Sequence, residues 1–266
     1  MVTFLGFFIC FLILGAFSGF LAGLFGIGGG MVVVPALFYL LPWLGINSPL
    51  QMSIILGTSF ATIAITTLAS TEKHYKLGNI QWEAAKYLAP TLVLTGYIAS
   101  DFITKLDKHL VVKIFAVLMV YLAVKMFRSI KKVVQDKKLT PISAIVGGIG
   151  IGLAASAAGI GGGGFTVPFL NSRGISIKKA IGTSAFCSMV LGLSSAISYM
   201  IHGWGLATLP PYSLGYVYVP AVVGITLASF FTAKLGARMV DKLPVPTLKK
   251  CFAGLLIVIA IDMLFR

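Results

Sequence analysis

Long apolar blocks follow one another through this chain with little between them, and they narrow the fold more than anything else in it. They run over about 3–25, 31–45, 50–71, 82–104 and 109–128, then over about 141–158, 164–171, 177–202, 210–238 and 246–265. A helix crossing about 30 Å of hydrocarbon needs about 20 apolar residues, and several blocks reach that length. Of the 266 residues, 58% are hydrophobic and 11% charged, where soluble domains carry about a quarter charged. The expected fold class is therefore an all-α polytopic membrane protein.

The 21 Lys and Arg against 7 Asp and Glu argue for membrane topology rather than nucleic-acid binding. They sit between the apolar blocks, with no base-stacking module around them. Cys10, Cys187 and Cys251 are scattered and lack a CxxC spacing, which argues against a disulfide framework or zinc site and for small apolar helix residues. No basic stretch precedes the first block and its apolar run continues, so it is expected to be a membrane helix rather than a cleaved leader.

The blocks form two copies of one unit. Adding 133 carries Gly15 to Gly148, Gly19 to Gly152, Gly26 to Gly159, Gly28 to Gly161, Val34 to Val167 and Pro35 to Pro168. Further on, LGTSFA at 56–61 matches IGTSAF at 181–186, and KLGNI at 76–80 faintly echoes SLGYV at 213–217. The domains expected are a first transmembrane repeat over 1–128, a basic linker over 129–140 and a second repeat over 141–266. With five segments per unit, Lys73 and Lys76, the 128–138 cluster, Arg173 with Lys178 and Lys179, and Lys234 through Lys250 share one face. Lys105 and Lys108, balanced by Asp107, and Arg266 fall on the other. The positive-inside rule makes the first face, with the linker, cytoplasmic, and places both termini outside the cell (inner) membrane. An odd number of segments also inverts the second copy, the arrangement of many carriers.

Both copies break at the same point. GIGGGMVVVP at 26–35 and GIGGGGFTVP at 159–168 put runs of helix-hostile glycine inside apolar sequence. From Gly164 to Arg173 is about nine residues, or about 14 Å as helix, about half the hydrocarbon. With Arg173 at the cytoplasmic surface, the second loop lies near mid-membrane, and the repeat puts the first there from the opposite side. Broken or half-length helices are the result. Non-helical backbone at that depth must be buried in protein or line a wet cavity. The arms beginning near Met31 and Gly164 would point helix N-termini at the midplane, where free N–H groups and the positive dipole end attract an anion. The candidate substrate-binding residues are therefore Gly26, Ile27, Gly28, Gly29, Gly30 and Pro35 with Gly159, Ile160, Gly161, Gly162, Gly163 and Pro168. The prolines stand at about the fifth position of each arm and could kink it. Gly15, Gly19, Gly23, Gly148 and Gly152, spaced by four, read instead as helix packing.

Thr58, Ser59, Thr183 and Ser184 complete the candidate set, with two roles open. Their hydroxyls could donate to an anion, or to their own carbonyls four residues back. Gln51 and Asn171 are weaker candidates near segment ends. No carboxylate lies clearly mid-span, where it would mark an ion relay. His74 and His202 read as interfacial, and Lys113 and Lys125 lie close enough to segment ends to snorkel.

The twin GIGGG…P loops, the twin GTS motifs and HYKLGNIQW at 74–82 together resemble the TauE/SafE sulfite-exporter family over the whole chain. The resemblance implies a membrane carrier for small sulfur-containing anions such as sulfite, sulfoacetate or other sulfonates. Its matching positions are Gly26 to Gly30 with Pro35, Gly159 to Gly163 with Pro168, and Gly57-Thr58-Ser59 with Gly182-Thr183-Ser184. SLGYVYVP lacks the Asn and Trp of GNIQW, so the copies differ there. The expected function is alternating access around a midplane anion site, with an anion channel of the same shape as the alternative. A membrane-embedded enzyme would need clustered nucleophiles, metal ligands or haem histidines, and three dispersed His and three dispersed Cys supply none. The expectation is no enzyme and no cofactor. The partners expected are the lipid bilayer, a small anionic substrate and a second copy of the chain, with no nucleic acid.

Overall fold

The structure, a computed structural model, describes residues 4–129 and 139–240 and the single positions Gly254, Ile257 and Ile261. Most of the basic linker expected at 129–140, the last block expected at 246–265, and the side chain of Lys125 lie outside the described residues. Among the described residues there are nine helices and one two-stranded hairpin. The helices are α1 (Phe4–Phe25), α2 (Gly30–Trp43), α3 (Gln51–Lys76), α4 (Trp82–Thr104), α5 (Lys108–Ser129), α6 (Pro141–Ala157), α7 (Gly163–Asn171), α8 (Ile177–His202) and α9 (Val219–Met239). Four of them, in α1, α3, α8 and α9, are long and apolar enough to cross a membrane. The chain is an all-α polytopic membrane protein.

Local chemistry sets the ends. The Thr140 hydroxyl accepts the Ser143 N–H while Ser143 returns a bond to the Thr140 N–H, and Pro141 fills the first turn, where its missing donor costs nothing. The last turn of α3 carries Lys73, His74 and Lys76, which suit the negative end of the helix dipole. Left-handed Gly78 then turns the chain out, and the Asn79 N–H closes the end on His74 O at 2.9 Å. The two arms are short. Fourteen residues in α2 and nine in α7 rise about 21 and 14 Å.

One expected segment needs correction. The block at 210–238 is not one helix: Ser213–Leu214 (β1) and Val217–Tyr218 (β2) pair antiparallel before α9 begins. Pro210 and Pro211 hold the chain out of a helix, Gly215 turns it at φ 54°, and Pro220 suits a helix start. Hydropathy does not distinguish a short apolar strand from a helical turn.

The molecule is arranged about α3 and α8. Their most apolar windows are 78% and 72% buried, against 44% and 39% for α1 and α9, so α3 and α8 form the centre and the other two a wall. That wall is greasy outward. Ile9, Ile13 and Phe17 on α1, Leu94, Ile98 and Phe102 on α4, and Leu227, Phe231 and Leu235 on α9 are exposed, as lipid contact requires. The centre is rich in hydroxyls, with Thr58, Ser59, Thr62, Thr66, Thr67 and Ser70 on α3 and Thr183, Ser184, Ser188, Ser195 and Ser198 on α8 all buried.

Packing crosses between the halves. The first helix of each half lies on the fourth of the other, α1 on α9 and α6 on α4. Gly15, Gly19 and Gly23 bring α1 against the backbone at Ile225, Ser229 and Ala233, and Gly148 and Gly152 admit Thr91 and Thr95 of α4. These five glycines pack helices together, as their spacing predicts.

Candidate functional site

The two breaks adopt nearly the same caps. Gly29 precedes α2 at φ 79°, ψ −13°, and Gly162 precedes α7 at φ 77°, ψ −13°, a left-handed conformation open to glycine at little cost. Gly26, Gly28 and Gly159 are left-handed as well. The copies part at one position, since Gly28 has a positive φ and its counterpart Gly161 does not.

The breaks meet. A Cβ built on Gly28 would stand 3.4 Å from Gly161 Cα, and one on Gly30 would stand 2.6 Å from Gly159 O and 3.1 Å from Ile160 Cα. A Cβ on Gly163 would overlap Gly26 O and Ile27 Cα. Backbone thus touches backbone, and Ile27 and Ile160 beside it are 1% and 0% exposed. Ile63 of α3 closes one side, with Cγ2 at 2.8 Å from the Gly28 position and 2.9 Å from the Gly161 position.

Donors gather there. The N–H groups of Val32 and Val33 bond Gly29 O, and those of Phe165 and Thr166 bond Gly162 O. Ahead of them, the N–H groups of Gly28, Gly30 and Met31, and of Gly161, Gly163 and Gly164, meet no carbonyl among the described residues. Gly30, Met31, Gly163 and Gly164 are orphan donors of two helix starts, and Gly28 and Gly161 lie just ahead of the caps. The arms begin one residue earlier than expected, so Pro35 and Pro168 are each the sixth residue. Lacking N–H, they leave the carbonyls of Met31 and Gly164 without their helical donors.

The four hydroxyls have specific partners across the halves. Ser59 Oγ donates to Gly159 O at 2.9 Å, and Ser184 Oγ donates to Gly26 O at 3.0 Å. Each serine of one half therefore holds the glycine loop of the other. Thr58 Oγ1 accepts the Tyr218 N–H at 3.0 Å, and Thr183 Oγ1 accepts the Gln81 N–H at 2.8 Å. Tyr218 and Gln81 are the N-caps of α9 and α4. Thr183 also donates to Lys179 O at 2.7 Å, the bond to the carbonyl four residues back that the sequence left open. Gly57 and Gly182 admit the backbone of Tyr216 and Asn79 respectively. The GTS motif thus reads as one device: Gly for approach, Thr for an orphan N–H, Ser for the opposite loop.

Sequence reasoning missed Ser188, whose Oγ adds a bond to Gly26 O at 3.3 Å, and Ile63. The signal for Ser188 was its place four residues after Ser184 on an apolar helix. His74 is corrected: it is buried, not interfacial, with Nε2 3.3 Å from Gly23 O of α1. Gln51 Nε2 donates to Phe38 O and ties the start of α3 to α2, and Asn171 Nδ2 donates to Ile175 O and holds the turn after α7.

Crossed loops with twin motifs have relatives. A chain of Haemophilus influenzae named "Probable membrane transporter protein" is 59% identical over 256 residues, covering 96% of this chain and 97% of its own length. Another of that description from Methanocaldococcus jannaschii is 27% identical, covering 95% and 94%. YunE of Bacillus subtilis, likewise a "Probable membrane transporter protein", is 23% identical, covering 97% and 98%. No solved structure matches. The profile of the family described as sulfite exporter TauE/SafE matches residues 11–263, both glycine loops and both GTS motifs included. The chain is a membrane transporter and belongs to the TauE/SafE sulfite exporter family.

Proposed function

We propose that this transporter carries small sulfur oxyanions or organosulfonates, such as sulfite or sulfoacetate, through a site formed where the glycine loops meet. The single observation that carries the reading is the set of N–H groups on Gly28, Gly30 and Met31 and on Gly161, Gly163 and Gly164 that meet no carbonyl among the described residues, at and just ahead of two touching helix starts. Each start contributes about half a positive charge. An anion with several acceptor oxygens engages many such donors at once. The substrate-binding residues proposed are Gly26 to Gly30 with Pro35, and Gly159 to Gly163 with Pro168. Thr58, Ser59, Thr183 and Ser184 belong to the site as the struts that set its width.

The halves act as inverted repeats, 1–128 and 141–266, in the cell membrane, with the linker cytoplasmic and both termini outside. Transport proceeds by rocking one repeat against the other. The crossed bonds from Ser59 and Ser184 are exchanged in that motion, since each ties a loop to the opposite half.

Proteoliposome uptake of labelled sulfite, sulfate, sulfoacetate and taurine tests the proposal, with pH and sodium gradients imposed separately. Saturation and counter-exchange are expected, and their absence would favour a channel. Gly161→Ala puts a methyl 2.9 Å from Ile63 Cγ2 and Ser188 Cβ at a position without positive φ. It is expected to fold and to lose at least about tenfold in uptake, the cost of about 1.4 kcal/mol. Gly150→Ala, where a Cβ meets nothing within 4 Å, is the silent control. Wild-type uptake by folded Gly161→Ala would overturn the site.

A further inference from the structure

A groove of about 470 Å³ runs along the α4–α8 seam, away from the glycine loops. Trp82, Glu83, Lys86, Ala89 and Pro90 of α4 and Phe186 of α8 line it, so both halves build it. It opens towards lipid. Pro90 begins a row of exposed residues spaced by four along α4, continued by Leu94 and Ile98, and that row is the apolar outer side of the helix.

The lining changes along its length. Glu83 and Lys86, near the start of α4, are the only charged groups among the described residues that line it. Ala89 and Pro90 follow, deeper in the apolar span. From residue 83 to residue 90 the helix rises about 11 Å. By the charge topology the start of α4 lies at the cytoplasmic surface. Trp82 is half exposed there, as suits an interfacial ring, and meets Phe186 edge-on with centroids 5.3 Å apart. The groove is thus charged at headgroup level and apolar beneath it.

The two charges do not satisfy each other. At i and i+3 on one helix they are near enough to pair. Among the described residues, however, neither forms an ion pair, and the Lys86 ammonium sits over the Tyr87 ring at 4.9 Å. One carboxylate and one ammonium, left open side by side, complement a headgroup that carries the opposite pair.

We propose that the groove binds one phosphatidylethanolamine molecule from the cytoplasmic leaflet. Its phosphate meets the Lys86 ammonium, its own ammonium donates to the Glu83 carboxylate, and one acyl chain runs past Ala89 and Pro90. Phosphatidylglycerol brings a phosphate without a cation and sets a second negative charge beside Glu83. Phosphatidylcholine brings both charges, but its quaternary nitrogen has no N–H to donate. Because α4 and α8 belong to different halves, the bound lipid bridges them, whichever anion the transporter carries.

Trp82 reports on the groove directly. The chain has three tryptophans, and Trp43→Phe with Trp204→Phe, both at exposed positions, leaves Trp82 alone. In this full-length chain, reconstituted in bilayers of mixed composition, lipids brominated on the acyl chains quench Trp82 by contact. Brominated phosphatidylethanolamine should compete about threefold better than brominated phosphatidylcholine or phosphatidylglycerol, as expected for one accessible ion pair. Glu83→Leu leaves Lys86 alone and should turn the preference to phosphatidylglycerol. Ala89→Phe fills the groove and should abolish any preference. Equal quenching by the three lipids in the parent chain, or a preference unchanged by Glu83→Leu or by Ala89→Phe, overturns the site. A parent preference for phosphatidylglycerol overturns the headgroup assignment. Quenching by none of them would show the groove covered by a second copy of the chain, which also overturns the proposal.

Discussion

Gly26 O accepts from two hydroxyls, Ser184 at 3.0 Å and Ser188 at 3.3 Å, whereas Gly159 O accepts from Ser59 at 2.9 Å. Loss of one donor therefore has unequal effects. Ser59→Ala leaves a buried carbonyl without its hydroxyl partner and should destabilise by about 0.6–1.7 kcal/mol, the range for bonds between membrane helices. Ser184→Ala should cost less, because Ser188 remains. Unfolding by detergent titration in mixed micelles measures both, and equal losses would contradict the assignment. These partners were not legible in the sequence. A hydroxyl on an apolar helix has a carbonyl four residues back always in reach, and only tertiary structure brings one 100 residues away. The glycines were legible, because runs of three resist any helical explanation. His74 was misread because its place near a segment end resembles that of a surface histidine, while α1 covers it in the fold.

The start of α6 at Pro141 falls where the apolar block over 141–158 begins, whereas α3 runs on to Lys76, past the end of its block at 71, because its last turn is charged and hydropathy stops short of it. The hairpin at 213–218 was not legible, since its apolar residues continue the hydropathy of α9. The α1–α9 contact carries a prediction. A Cβ on Gly23 would overlap Ala233 O and come within 2.7 Å of Ala237 N. Backbone cannot retreat as a side-chain tip can, so Gly23→Ala should force the helices apart and cost about 1–3 kcal/mol. Gly150→Ala on α6 should be neutral. Thermal aggregation of the detergent-solubilised protein compares them, and matching temperatures would show that the glycine stripe does not set the spacing.

Every major contact described above between α1 and α9, α4 and α6, and α3 and α8 pairs elements from different halves. Fragments 1–129 and 139–266 made separately should each aggregate or be degraded, and made together should copurify. A first fragment that is monodisperse and protease-resistant alone would contradict the crossed packing. Gly26, Gly28, Val34 and Pro35 recur in the sequence at an offset of 133, but the exchange of partners is not visible there, because periodicity records which positions are alike and not which ones touch.

The α1–α9 pairing also has a consequence in time. The ribosome completes Phe4–Phe25 long before it reaches Val219–Met239, and at about 5–20 residues per second the roughly 190 intervening residues take about 10 to 40 s. During that interval the glycine-lined side of the earliest helix faces lipid or a temporary escort in the insertion machinery. Biogenesis of this chain is thus a wait for its last-made partner, and its yield depends on what shelters that surface meanwhile.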